Sequence, residues 1–273
     1  MENIMERLEV DDAVIEYEVH GDGEPILLIP VSVVADGLGR PLLAEPELAS
    51  RYRLIHYHRR GYMGSTPGTE RLTIARQASD AAALLTHLGV RRAHIAGHSL
   101  GGLVALQLVL DAPQLVQSLA LLEPSLPMVP SAKANFGRLF PAVFEAYRSG
   151  NSRKAVEIFS DRVFGPDWQA AVEQTVPGGV EQAAKDLGTF IQELGPMQEW
   201  QFGPSQAAVI SQPVLSVKGV HSDQFQQEVR ELLHAWLPQT EDCDIESTHL
   251  LQMQDPQGVG RGLAEFFARH PIR

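Results

Sequence analysis

The chain has 273 residues, 44% of them hydrophobic, and a formal net charge of −12 at pH 7. That length can bury roughly three quarters of the unfolded surface without a metal or disulfide staple, and the acidic balance repels nucleic-acid phosphates and anionic membrane surfaces. The single cysteine, Cys243, cannot form an internal bridge, which suits a reducing compartment.

In chain order, the opening MENIMERLEVDD lacks both a basic leader and an apolar core, and no later run approaches about 18 apolar residues. The expectation is a soluble cytoplasmic protein. DAVIEYEVHGDGEPILLIPV alternates, turns at Gly-Asp-Gly and then runs apolar from Ile26 to Ile29, the pattern of a hairpin leading into a strand buried on both faces. Further strands are predicted at Tyr52 to Tyr57, Ala93 to Gly97, Ser118 to Glu123, Pro213 to Val217 and in CDIES near the C-terminus. Helices are predicted between them. Residues 73–88 place Ile74, Ala78, Ala81, Leu85 and Leu88 at helical spacing, and 102–110 are almost wholly apolar. Alternating strands and helices imply a mostly parallel, doubly wound α/β sheet covered on both faces. From Pro124 to about Ser205 no strand is predicted, only helical stripes such as Ala183, Ala184, Leu187, Phe190, Ile191 and Leu194. The domain expectation is a core of 1–124 and 206–273 with a helical cap, 125–205, over the carboxyl edge of the sheet.

HIAGHSLGGLVALQL places Ser99 between a strand and a helix, inside Gly97-His98-Ser99-Leu100-Gly101. A G-x-S-x-G at that seam is a nucleophile elbow, a turn tight enough to demand small flanking residues. It raises the hydroxyl above the sheet edge and aims helix N–H groups at a developing oxyanion. A serine hydroxyl is a weak nucleophile without a base, so a histidine must reach it.

With GHSLG at 97–101, HYHRRGYMGST at 56–66 and STHLLQMQDPQGVGRGLAEFF near the end, the chain resembles the α/β-hydrolase fold family over essentially its whole length. The resemblance implies the base: His249 follows the last predicted strand and precedes a Pro-started amphipathic helix. It offers two acids to orient His249. Asp223, in VKGVHSDQF, lies one residue past the commoner late position. Glu123, ending SLALLE, stands where zearalenone lactonases and haloalkane dehalogenases carry theirs, and it is preferred. The usual His-Gly of the oxyanion loop is replaced by Pro30-Val31, as zearalenone lactonases also lack that pair. By position the backbone N–H of Ser32 joins that of Leu100, with the Ser32 hydroxyl available to supplement it.

These residues together suggest a serine hydrolase acting through an acyl-enzyme on a small-molecule carboxylic ester or lactone. The expected cap contains Phe136, Phe140, Phe144, Trp168, Phe190, Met197 and Trp200, which implies a hydrophobic or aromatic substrate portion. Trp168 and Trp200 are the first candidates for substrate contact. Epoxide and haloalkane chemistry in this family needs an aspartate where Ser99 stands. A carbon–carbon bond hydrolase of ring-cleavage products and a non-hydrolytic ligand binder are the alternatives. No cofactor is expected. His56 and His58 alternate as a metal pair could, but no carboxylate or cysteine cluster accompanies them in the sequence, so no metal is expected either.

Overall fold

The computed structural model describes residues 5–272, and in it the apolar runs form one eight-stranded sheet. Its strands are β1 Glu6–Val10, β2 Ala13–His20, β3 Glu24–Ile29, β4 Tyr52–Tyr57, β5 Ala93–His98, β6 Val116–Leu122, β7 Val214–Gly219 and β8 Thr240–Ile245. In space they run β1-β2-β4-β3-β5-β6-β7-β8. Pairing is antiparallel from β1 to β2 and from β2 to β4, and parallel across the remaining strands. The hairpin expected from DAVIEYEV is therefore made with β1. The Gly-Asp-Gly turn instead carries the chain from β2 past β4 to a non-neighbouring strand, because β3 is sealed on both sides by parallel partners.

Period-two alternation splits the strand side chains between two cores. Leu27 and Ile29 of β3 and Leu119 and Leu121 of β6 enter one, while Ile26, Leu28, Ala120 and Leu122 enter the other. Fully burying each Leu or Ile contributes about 1.5–3 kcal/mol, which is why the interior strands read as unbroken apolar runs.

The helices before the elbow strand are α1 Gly39–Leu43, α2 Pro46–Ala49 and α3 Ile74–His87, the last capped by the Thr73 hydroxyl accepting from Arg76 N–H. Helix α4 (Leu100–Asp111) follows β5, and nine of its twelve residues are buried, as its nearly unbroken apolar sequence requires. Among the described residues no strand lies between β6 and β7; that stretch holds α5 Pro130–Arg148, α6 Ser152–Val163, α7 Trp168–Thr175, α8 Gly179–Glu199 and α9 Pro204–Ala207. The chain then closes with α10 Gln224–Trp236, α11 Leu251–Gln254 and α12 Pro256–Arg269. Among the described residues no helix is long and apolar enough to cross a membrane.

From β3 the chain goes to β4 on one side and returns to β5 on the other, so the strand order reverses at the carboxyl ends of β3 and β5. Open α/β sheets bind ligands at such a reversal. Ser32, Ser99 and Glu123 follow the ends of β3, β5 and β6, and Asp223 and His249 follow β7 and β8, so all five candidates fall on one edge.

Candidate active site

Ser99 adopts φ 57° and ψ −117° between β5 and α4, a conformation uncommon outside glycine. The local sequence makes the turn possible. A Cβ on Gly97 would sit 2.4 Å from the Gly101 carbonyl oxygen, and one on Gly101 would sit 2.3 Å from the Ile29 carbonyl oxygen. The strain is held in place by neighbours: Ser99 N–H donates to Leu122 O at 2.9 Å, and Ser125 N–H donates to Ser99 O at 3.1 Å. The Ser99 hydroxyl shares a 2.8 Å hydrogen bond with the Ser125 hydroxyl.

Glu123 also has a left-handed backbone, φ 43°, immediately after β6. Its carboxylate is 2% exposed and fully engaged. Oε1 accepts from Gly219 N–H at 2.8 Å, and Oε2 lies 2.6 Å from His249 Nδ1. A buried carboxylate is costly without such partners. The Gln226 amide, 3.4 Å from the same ring nitrogen, is the weaker neighbour. Phe164 stacks on the imidazole with centroids 5.8 Å apart and planes 15° apart.

His98 serves the site from behind. Its Nε2–H donates to the His249 carbonyl at 3.0 Å, and its Nδ1 accepts from the Gln252 amide at 3.2 Å, which fixes one neutral tautomer. Burial, reinforced by the nearby His249, holds the His98 pKa well below the ordinary histidine value. Asp223 lies elsewhere. Its half-exposed carboxylate accepts from Arg162 Nη1 at 3.1 Å at the mouth of the cavity, and it makes no side-chain cap on α10.

Ser32 follows β3 in a loop where Val33 has φ 73°. Its hydroxyl donates to Glu193 Oε2 at 2.7 Å and accepts from Arg59 Nη2 at 3.1 Å, so the hydroxyl is occupied and cannot supplement the amide. Glu193, on α8, is completely buried; it pairs with the Arg59 guanidinium and also accepts from Tyr62 Oη at 2.6 Å. Burial first, and then the Glu193 charge, raise the Tyr62 phenol well above its usual pKa, so it donates as a neutral group. The Ser32 N–H has no protein acceptor among the described residues, and Leu100 N–H, at the first turn of α4, has no intrahelical partner.

Residues 40–256 match the sequence profile of the alpha/beta hydrolase fold. The chain belongs to this family. A protein named carbamate hydrolase RutD from Variovorax paradoxus is 35% identical over 179 residues, 62% of this chain and 63% of that protein. Another of the same name from Azorhizobium caulinodans is 38% identical over 110 residues, 40% of this chain and 41% of that one. The matches thus span less than two thirds of the length of these relatives. Among solved structures, naproxen esterase from Bacillus subtilis has a TM-score of 0.77 at 21% identity, covering 97% of this chain and 91% of that one. The enol-lactonase from Burkholderia xenovorans LB400 has a TM-score of 0.76 at 17% identity, covering 96% and 99%. At these identities the likeness to both structures is one of fold.

Over the α/β-hydrolase sheet edge lies a cavity of about 210 Å³ whose floor is Ser32, Ser99, Leu100, Ser125 and His249. Its walls include Phe136, Phe140, Phe159, Phe164 and Phe190 from the stretch between β6 and β7, with Phe225 from α10. Of the cap residues named from the sequence, Phe136, Phe140, Phe190 and Met197 line the cavity, and Phe144 does not. Trp168 and Trp200 do not line the cavity. Each indole is buried in packing with its N–H satisfied, Trp168 by Asp161 at 2.9 Å and Trp200 by Gln107 at 2.7 Å.

A second correction concerns His56 and His58. A carboxylate does accompany them: Asp36, distant in sequence, places Oδ1 3.1 Å from His56 Nε2 and 2.9 Å from His58 Nε2. Ser125, Glu193 and Asp36 were not singled out from the sequence. Two of them left a trace, since Glu193 interrupts the apolar stripe of α8 and Asp36 interrupts the apolar run Val33–Leu38.

Proposed function

We propose that the protein is a serine hydrolase that cleaves a small-molecule carboxylic ester or lactone with a hydrophobic portion. The observation that carries this is the 2.6 Å contact between buried Glu123 and His249 Nδ1, beneath the cavity that Ser99 also lines. Glu123 fixes the tautomer with the proton on Nδ1, leaving the Nε2 lone pair to accept the Ser99 proton. Ser99 first has to turn from Ser125, a tightening common on going from a resting site to a substrate complex. Its Oγ then attacks the carbonyl carbon, and the Ser32 and Leu100 N–H groups receive the oxyanion. Collapse breaks the bond to the alcohol oxygen, which takes the proton back from His249. Water, deprotonated by His249, releases the acid and restores Ser99.

The helical stretch 125–205 acts as a cap in this scheme. Its phenylalanines supply the apolar surface for the acyl or alcohol portion, so the substrate is neither a sugar nor a highly charged metabolite. A carbamate is the second candidate, because two relatives carry that name and its carbonyl would meet the same nucleophile. A carbon–carbon bond hydrolase is less well supported, since the late-acid position it usually employs is Asp223, which pairs with Arg162.

A fluorophosphonate probe followed by a panel of aryl esters, long-chain esters, lactones and carbamates tests the proposal. An adduct on Ser99 and turnover of at least one ester or lactone are expected. Absence of any adduct on folded protein would favour the non-hydrolytic binder.

A further inference from the structure

We propose that Asp36, His56 and His58 form a binding site for a divalent transition cation of the zinc type, separate from the cavity that holds Ser99. Three segments converge there: the turn Ala35–Gly37, the interior of β4 and the residue just after it. One ligand atom from each lies within 4.8 Å of the others, and all three residues are buried. Imidazole and carboxylate bonds to zinc are about 2.0–2.1 Å long, which places tetrahedral ligand atoms about 3.3 Å apart. Both imidazole Nε2 atoms already lie near that distance from Asp36 Oδ1, at 3.1 and 2.9 Å. An ion held by all three atoms would take the place of these two hydrogen bonds.

The ring of His58 is already oriented for ligation. His58 Nε2 faces Asp36, while its Nδ1 faces Glu16 Oε2 at 3.3 Å. With a bound dication, His58 ligates through Nε2 and keeps one proton on Nδ1 for Glu16. That is the carboxylate–histidine–metal arrangement by which proteins orient their metal ligands.

The surroundings are rigid and reachable. The His56 ring packs on Gly39, where a Cβ would fall 2.4 Å from ring atoms, and the two rings stand at 89° with centroids 5.2 Å apart. A separate cavity of about 140 Å³, bordered by Asp36, Val33, Met63, Pro177 and Gln182, gives an approach from solvent. The bound ion would tie the turn just after the Ser32 loop to β4. The assignment is independent of the hydrolase proposal.

The test uses tag-free full-length protein stripped with a chelator and dialysed. Zinc should raise its melting temperature, and cobalt(II) should give the visible d–d absorption of a low-coordinate nitrogen and oxygen site, saturating at a single ion per chain. Glu16→Gln, which leaves all three ligands in place, should weaken cobalt binding by about 10- to 100-fold, the usual effect of losing a partner that orients a metal ligand. His58→Gln should abolish it. Folded wild-type protein with neither the absorption nor the thermal shift would overturn the proposal. Equal binding by wild type and Glu16→Gln would do the same, because it would place the ion elsewhere, such as at the exposed His221–Glu246 pair.

Discussion

Ser99 and Glu123 are both held in the left-handed region, and each is the residue at which a central strand ends and the chain turns over the sheet edge. The strained backbone lies at two adjacent strand ends, where the proposed function puts its nucleophile and its acid. Ser99→Ala and His249→Ala should each lower kcat on any ester substrate by about 10⁴-fold or more, and the double variant should lose little further, since groups acting as a unit are not additive. Retention of more than about a tenth of the activity by Ser99→Ala would end the serine-nucleophile assignment. The two acids separate at the same scale. Glu123→Gln replaces the acceptor of the His249 Nδ1 proton with an amide that can present a donor instead, and kcat should drop by up to about 10⁴-fold. Asp223→Asn loses an ion pair with Arg162 in which both side chains are nearly half exposed, so the cost should stay below about tenfold. Steady-state kinetics of the two variants on one aryl ester decides between them.

Helix α8 joins the segment after β6 to the loop after β3 through a single buried charge. Glu193 meets Arg59, Ser32 and Tyr62 at once, and Arg59 also donates to the Pro30 carbonyl at 3.1 Å. Removing one partner of a buried pair strands the other charge, so Glu193→Gln should destabilise the fold by about 3–5 kcal/mol in urea unfolding. An effect below about 1 kcal/mol would mean that the guanidinium finds water or another acceptor. The same helices decide substrate choice in the proposed function. Phe140→Ala and Phe190→Ala should change the ratio of kcat/KM between aryl and short alkyl esters, while fluorophosphonate labelling of Ser99 persists. Trp168→Phe and Trp200→Phe, off the cavity, should leave that ratio unchanged. The tryptophans show what patterning hides. A large aromatic on a helix between Pro and Gly breaks reads equally well as packing or as a pocket wall, and only the third dimension assigns its face. Asp36 was hidden for a related reason, because its partners lie on and just after β4, twenty and twenty-two residues away in sequence, and no local period links them.

At the scale of the whole molecule, the strand and helix sequence was legible because buried parallel strands and the elbow both carry strong local signals. β1 was not, since its residues are largely exposed and its identity depends on pairing with β2. The candidate site draws on loops after five strands, and its electrostatics therefore belong to the assembled fold. His98 links three of these parts: it ends β5, donates to the His249 carbonyl after β8 and accepts from Gln252 on α11. Burial and the neighbouring His249 depress its folded pKa, whereas in the unfolded chain it titrates near the ordinary value of about 6.5. Below that pH the unfolded state binds a proton that the folded state refuses, so the unfolded form carries the excess of bound protons and stability falls as pH falls. The slope from this group is about 1.4 kcal/mol per pH unit between its unfolded and folded pKa values, and above about pH 7 it vanishes. Urea unfolding of wild type at pH 7.5, 6.5 and 5.5 should show the loss beginning near the middle value. His98→Asn, which cannot take up the proton, should be less stable at neutral pH through its lost hydrogen bonds, yet its stability should decline less steeply with acid, by about one proton's worth. Parallel pH profiles for the two proteins would show that His98 does not protonate on unfolding in this range.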